Sequence, residues 1–151
     1  MDQLSAGFWA LLIFAWFAGS IAYRIGSRKG LFARPRPGAQ FVERWASGRS
    51  GTGLMARLST ARNCLQVQIT AQELLVTPQF PFTLGFMPEI YDLDKRIALK
   101  SVRKAVDLGG GFARAVEVSY VQSNGQAGTL QLLLKRGEPF IAQLLAARDA
   151  A

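Results

Sequence analysis

The sequence predicts an α+β protein, mainly β, in which an N-terminal transmembrane helix precedes an antiparallel sheet or barrel that ends in a C-terminal helix. Two observations lead to this prediction. Residues 3–23 contain no charged side chain, whereas most segments after residue 63 alternate apolar and polar side chains, as strands do. We therefore divide the 151 residues into a transmembrane anchor (1–23), a basic juxtamembrane tether (24–62) and a cytoplasmic domain (63–151).

The apolar segment has the length of a membrane span. From Leu4 to Tyr23 it contains 20 residues, which in a helix extend about 30 Å, the thickness of the hydrocarbon core. A cleaved signal peptide, with Ser20–Ala22 as the cleavage site, is the alternative interpretation. We favour the anchor, because a signal peptide carries basic residues before its apolar run and this segment is preceded by Asp2 instead.

The charges that flank the apolar segment predict its orientation. Residues 24–62 contain nine basic side chains and one acidic side chain, and the Lys- and Arg-rich side of a span stays in the cytoplasm. The N-terminus is therefore predicted to face outward and the later domain to lie beneath the inner (plasma) membrane. Either these charges only set the topology, or they also contact anionic lipid. The side chains expected at the membrane surface are Arg24, Arg28, Lys29, Arg34, Arg36 and Trp45.

A short helix is expected to place Trp45 at that surface. Phe41 and Trp45 are four residues apart, which puts both on one side of a helix. The Pro-rich stretch before them (34–38) and the Gly-rich stretch after them (47–53) are typical of turns and flexible connections. The tether is thus interpreted as a connector between the anchor and the domain.

Small residues recur on one side of the predicted transmembrane helix. Stripes of this kind allow two helix backbones to approach closely in lipid. We expect them to support association with a membrane-protein partner or self-association, although Ala and Gly are also simply abundant in membrane helices. The residues of this stripe are Ala15, Gly19, Ala22 and Gly26.

The cytoplasmic domain is predicted to contain six or seven antiparallel strands and one helix. Leu65, Val67 and Ile69 alternate with glutamines, as in a half-buried strand, and Asn124-Gly125 is a strong hairpin signal. Pro139 opens a helical pattern of apolar residues. The predicted strands are 64–70, 73–77, 83–87, 97–99 with 102–108, 115–121 and 129–134, and the helix is 139–147.

This order of elements resembles the pleckstrin-homology-like (PH/GRAM-like) superfold, in which two near-orthogonal sheets are closed by a C-terminal helix. The chain also looks like uncharacterised bacterial single-pass membrane proteins that carry such a domain in the cytoplasm. The superfold members that bind phosphoinositides have basic residues in the first hairpin loop. Here that loop is Ala71-Gln72, so the resemblance does not imply specific phosphoinositide binding.

Several classes of activity are excluded by composition. The chain has no histidine and one cysteine, which excludes catalytic triads that need histidine, His-ligated metals and an internal disulfide. The Gly-rich stretch lacks the lysine of a phosphate-binding loop, and the acidic residues Glu89, Asp92 and Asp94 lack the spacing of a calcium loop. We therefore expect no enzymatic activity, no cofactor and no metal, and, because the basic residues lie against the membrane, no nucleic-acid partner.

Two groups of side chains are candidates for contacts of the domain. The first is an apolar loop that either fills the core at a sheet corner or contacts a partner: Phe80, Phe82, Phe86 and Met87. The second is a basic cluster that is either a solvated edge or a contact for anionic lipid: Lys95, Arg96, Lys100, Arg103 and Lys104.

These features together predict a non-enzymatic, membrane-anchored interaction module. We expect it to be an accessory or scaffold subunit of an inner-membrane assembly. The alternative is a module that binds or senses the anionic lipid surface, with membrane lipid itself as the partner.

Overall fold

The computed structural model describes residues 2–27, 32, 34–51, 61–84 and 94–151. In this part of the chain it contains an N-terminal helix α1 (Asp2–Gly26), a 3₁₀ helix η1 (Leu99–Ser101) and a C-terminal helix α2 (Gly137–Ala150). The strands are β1 (Phe41–Ser50), β2 (Ala61–Ile69), β3 (Glu73–Pro78), β4 (Lys95–Ala98), β5 (Val102–Gly109), β6 (Arg114–Val121) and β7 (Ala127–Leu134).

The seven strands form one open antiparallel sheet in the order β4-β3-β2-β1-β7-β6-β5. β1 is its central strand, because residues 41–48 pair with β2 and residues 47–50 pair with β7. The prediction of an α+β protein, mainly β, with an N-terminal apolar helix and a C-terminal helix is thereby confirmed.

The turns explain which of the predicted strands are present in the structure and which are interrupted. The hairpin at Asn124-Gly125 is confirmed: β6 pairs with β7 along its length, and Gly125 has a φ of +80°. The segment 97–108 is interrupted by η1, because Leu99 is fully buried and its N–H donates to the Gln72 carbonyl. In the predicted strand 83–87, Thr83 and Leu84 lie in a turn, and residues 85–87 lie outside the described residues.

The predicted short helix at Phe41–Trp45 is wrong, since these residues begin β1. Phe41 pairs with Ile69, and Glu43 pairs with Val67, so alternate side chains face the core. A β-bulge follows at Trp45, which has a φ of +62° and leaves its side chain 51% exposed. The sheet therefore begins at Phe41, within the stretch that was interpreted as a connector.

Helix α2 packs on the core face of the sheet. Phe140, Leu144 and Ala147 recur at three- and four-residue steps and are buried against the strands. The ring of Phe140 lies edge-on to that of Phe41, with 5.4 Å between their centroids. The first strand and the last helix thus meet in one core.

A buried carboxylate fixes that meeting point. Glu43 is only 7% exposed, and its two oxygens accept hydrogen bonds from the N–H groups of Lys135 and Arg136, at 2.7 and 3.1 Å. These N–H groups immediately precede α2, where negative charge is favourable. The Arg136 guanidinium donates to the Val42 carbonyl and lies 4.8 Å from the centre of the Phe41 ring. Glu43 therefore joins β1 to the start of α2.

We predict that Glu43→Gln lowers the free energy of unfolding by about 2 kcal/mol, since charged hydrogen bonds to buried groups contribute in that range. The amide would place N–H donors against the N–H groups of Lys135 or Arg136. The measurement is urea unfolding of the full chain in mild detergent, monitored by the circular dichroism signal of the sheet.

The matched control for this prediction is Asp149→Asn. Asp149 is exposed and pairs with its neighbour Arg148, so its loss should change the free energy of unfolding by less than about 0.5 kcal/mol. Equal unfolding midpoints for the Glu43 variant and the unmodified chain would contradict the role assigned to Glu43.

A second polar contact joins α2 to the turn between β5 and β6. Asp107 accepts a hydrogen bond from the Gly109 N–H at 2.7 Å and pairs with Arg114 at 2.6 Å. Arg114 also pairs with Glu138, in the first turn of α2, at 2.8 Å. The Gly109 N–H and the Arg114 guanidinium hold the pKa of Asp107 below its ordinary value.

We predict that the pKa of the Asp107 carboxyl group lies below the ordinary value for aspartate, about 3.9. Because the pKa is lowered by folding, the Asp107 carboxylate stabilises the fold above that pH, and the stabilisation is lost as the pH falls through the folded pKa. NMR titration of the Asp107 carboxyl carbon measures this. Arg114→Gln should raise the midpoint; an unchanged midpoint would show that the ion pair has no influence on it.

Candidate functional site

Helix α1 has the composition of a membrane span. Ala6–Gly26 is long and apolar enough to cross a bilayer, and lies near the N-terminus, a description that both a transmembrane span and a signal sequence meet. The predicted stripe of Ala15, Gly19, Ala22 and Gly26 is exposed along one side of the helix. Ser20 and Arg24 are buried, and at about 100° per residue they lie on a different side from that stripe.

The end of α1 contacts the sheet domain through an ion pair. The Arg24 guanidinium lies 4.0 Å from the Asp94 carboxylate, and the Arg24 side chain is nearly fully buried. Asp94 immediately precedes β4. Arg24, which was predicted to face the lipid surface, is instead buried beside the start of an edge strand.

Residues 34–36 pack on the outer face of the sheet, defined here by Gln66, Gln68, Leu75 and Thr77 of β2 and β3. Gln68 accepts a hydrogen bond from the Arg36 N–H at 2.8 Å and donates to the Arg34 carbonyl at 3.2 Å. β2 was predicted to be half-buried, with its glutamines in solvent. That prediction is wrong, because Gln66 and Gln68 are as buried as the core positions.

Two further contacts hold this segment in place. The Arg36 side chain pairs with Glu73 at the start of β3, and the Phe32 ring lies 5.2 Å from the ring of Phe80, beyond the end of β3. Arg36 therefore lies beside the start of β3, and Phe32 lies beyond its end. Of the other side chains predicted at the membrane surface, Trp45 projects from its bulge, and Arg28 and Lys29 lie outside the described residues.

The apolar loop after β3 is only partly described. Phe80 and Phe82 are 45% and 40% exposed, whereas Thr83 beside them is buried. Phe86 and Met87 lie outside the described residues. The described half of the loop thus leaves two aromatic rings accessible, and the contact with Phe32 places Phe80 beside the segment that leads to α1.

Four residues of the predicted basic cluster surround one cleft of about 580 Å³. We call it the seam cleft, because it lies between β4 and the first residues of β5, which are the two edge strands of the sheet. Lys104, the fifth residue of the cluster, is exposed on β5 but does not line the cleft. The residues that line it are 95–98, 100, 101, 103 and 120–123.

The lining of the seam cleft is cationic. Lys95, Arg96, Lys100 and Arg103 contribute positive charge, and no carboxylate is among the lining residues. Within the described ranges, Arg96, Lys100 and Arg103 form no ion pair; Asp94, the nearest acidic residue in the sequence, pairs with Arg24. An anion in the cleft would therefore meet positive charge from β4, η1 and β5 and no lining carboxylate.

Neutral polar groups complete the wall of the seam cleft. Ser101, Gln122 and Ser123 line it together with Tyr120. Tyr120 is 5% exposed, and its hydroxyl is buried without a hydrogen-bond partner among the described residues. The Tyr120 ring crosses Gly128 of β7 so closely that a Cβ at Gly128 would lie 2.7 Å from Cζ of Tyr120, so the glycine allows the tyrosine to lie there.

The described residues contain no group of three or more acidic or thiol side chains that could hold a metal ion. Cys64 is buried beside the core, and burial raises the pKa of its thiol. Of the acidic residues considered from the sequence, Glu89 and Asp92 lie outside the described ranges.

Sequence reasoning missed Glu43 and Tyr120. Glu43 is the sole acidic residue among nine basic ones in the stretch 24–62, and this isolation could have marked it as a candidate from the sequence. Tyr120 carried no signal, because its alternation with Val118 is that of any core position. The convergence of β4, η1 and the β6–β7 turn on one cleft depends on tertiary structure.

Comparison with known proteins adds no relative: no protein-family model, no curated protein and no solved structure matches this chain.

We predict that Cys64 reacts slowly with maleimide or iodoacetamide in the native chain at neutral pH. The thiolate is the reactive form, and both burial and the raised pKa reduce its accessible population. The measurement is the labelled fraction by mass spectrometry, with and without denaturant. Rapid labelling of the native chain would show that β2 opens or that Cys64 is accessible.

Proposed function

We propose that this chain is a non-enzymatic interaction module, anchored in the bacterial inner membrane by α1 and oriented with its sheet domain in the cytoplasm. In this proposal it serves as an accessory or scaffold subunit, and its domain has the PH-like architecture. Support for that architecture comes from the element order, seven antiparallel strands followed by one helix that packs on the sheet.

The observation that carries the proposal is the contact of Arg24 and of residues 34–36 with the domain. Gln68 holds the backbone of residues 34 and 36, and Arg24 pairs with Asp94. A domain on a free linker samples many orientations. A domain that packs against its own linker keeps one orientation relative to the helix, and thereby presents the same surfaces to neighbours in or on the membrane.

The surface best placed for a protein partner is the pair of exposed rings, Phe80 and Phe82. Phe80 contacts Phe32, so its ring lies close to the segment that enters from α1. Aromatic residues are enriched in protein interfaces. The exposed stripe around Ala15 and Gly19 is a second contact for a neighbouring helix or for a second copy of this chain.

A second candidate function is binding of the anionic lipid surface, and the seam cleft favours it. Lys95 lines this cleft and follows Asp94, the partner of Arg24 at the end of α1. The cationic lining is therefore close to the point at which the chain leaves the proposed span.

The membrane topology is testable with single-cysteine variants in a Cys64→Ser background. We predict that Gln3→Cys is labelled by an impermeant maleimide in intact spheroplasts, and that Gln126→Cys is labelled only after permeabilisation. The reverse pattern would contradict the orientation. A mature chain whose mass lacks the N-terminal segment would show that α1 is a signal sequence.

The partner surface is testable by photo-crosslinking of the full chain in native membranes. We predict that p-benzoylphenylalanine in place of Phe82 gives a discrete protein adduct. The matched control is the same replacement of Phe112, an 86% exposed ring on the β5–β6 turn, which should give none. Adducts with lipid alone at position 82 would contradict the accessory-subunit proposal and favour the lipid-surface function.

A further inference from the structure

The connectivity of the sheet creates the seam cleft. β4 and β5 are at opposite ends of the strand order, yet only η1, three residues long, separates them in the chain. A 3₁₀ helix of three residues advances about 6 Å, so the sheet curls until its two edges nearly meet. No hydrogen-bonded pairing joins β4 to β5, and the cleft occupies the gap between them.

Basic residues line this gap from both of its sides. Lysines on an edge strand commonly prevent pairing with other chains. Here two arginines and two lysines from β4, η1 and β5 surround one volume. Arginine side chains are suited to phosphate, because their planar N–H groups bind its oxygens in pairs.

The neutral groups point to the same ligand chemistry. Ser101, Gln122 and Ser123 are lining residues whose side chains can donate hydrogen bonds. Tyr120 also lines the cleft, but its hydroxyl is enclosed against Gly128. An oxyanion bound in the seam cleft would accept hydrogen bonds from the serine and glutamine side chains and would balance the positive charge of Arg96, Lys100 and Arg103.

We propose that the seam cleft is a binding site for a phosphate monoester, held by Arg96, Lys100 and Arg103 with Tyr120 at its wall. A monoester carries close to two negative charges at neutral pH, which several cations can share. The cleft volume of about 580 Å³ is within the usual range for small-molecule sites, so it accommodates the phosphate together with the group that bears it.

The phosphate can belong to a lipid headgroup or to a soluble molecule. The position of Lys95 next to Asp94, the partner of Arg24, places the cleft near the end of α1. This placement at the membrane rests on the proposed function, whereas the phosphate chemistry does not. The two sources are therefore separated by the experiment.

The experiment measures the acetylation rate of each lysine in the full chain by mass spectrometry. In the first arm the chain is in mild detergent with pyrophosphate, a soluble probe that carries terminal phosphates, or with sodium chloride at matched ionic strength. In the second arm it is in phosphatidylcholine nanodiscs that contain either phosphatidic acid, a monoester, or phosphatidylglycerol, a diester, at matched surface charge.

We expect acetylation of Lys100 to slow by about tenfold at a probe concentration ten times the dissociation constant, since about nine-tenths of the sites are then filled. Lys104 and Lys135, which do not line the cleft, should react at unchanged rates. Protection in the pyrophosphate arm assigns a soluble source, and protection in the phosphatidic acid arm assigns a headgroup. If the membrane proposal fails, the pyrophosphate arm still tests the site.

The matched variants carry equal changes of charge. Arg96→Gln with Arg103→Gln should abolish the protection of Lys100, whereas Lys104→Gln with Lys135→Gln should preserve it. All four side chains are exposed, and circular dichroism establishes that each variant folds. The proposal would be overturned if neither probe protects Lys100, if Lys104 is protected equally, or if phosphatidylglycerol protects Lys100 as strongly as phosphatidic acid does. The cations would then serve to protect the sheet edges.

Discussion

The three residues of η1 connect the two edge strands of this sheet, and the curvature of the sheet and the position of the seam cleft follow from that connection. Because η1 is short, β4 and β5 lie close together in space although they stand at opposite ends of the strand order. The sheet must curl, and curling creates a concave face that one helix can cover. Leu99 of η1 is drawn into that core, and its N–H bonds to the Gln72 carbonyl. The same connection leaves a gap at the edges, and the basic residues gather there.

A curled sheet also needs one strand that pairs with neighbours in both of its halves. β1 does this by pairing with β2 and then with β7, and the bulge at Trp45 lies between the two sets of pairs. Glu43, just before the bulge, bonds to the N–H groups that precede α2. The carboxylate thus connects the centre of the sheet to the helix that closes it, across more than ninety residues of sequence.

Both faces of β2 and β3 are covered, although by different parts of the chain. The core and α2 cover one face, and residues 34–36 contact the other through Gln68, while Arg36 pairs with Glu73 and Phe32 lies against Phe80. This contact explains why Gln68 occupies a buried position of β2: its side-chain amide bonds the backbone of Arg34 and Arg36, which lie outside any strand. It also supports the view that the orientation of the domain is set by packing rather than by the length of a linker.

The sequence by itself determined the apolar N-terminal helix, the alternating strands, the hairpin at Asn124-Gly125 and the C-terminal helix, because each depends on a local period or turn residue. It also identified the basic cluster and the aromatic loop. Local pattern failed at Phe41–Trp45, where four-residue spacing suited a helix equally well, and at Gln66 and Gln68, where alternation predicted solvent. Only the tertiary structure decided that Glu43 is buried, that residues 34–36 cover β2, and that Arg96, Lys100 and Arg103 share a cleft with Tyr120. The physical reason is that these contacts join residues far apart in sequence, and strand order and curvature, rather than local propensity, bring such residues together.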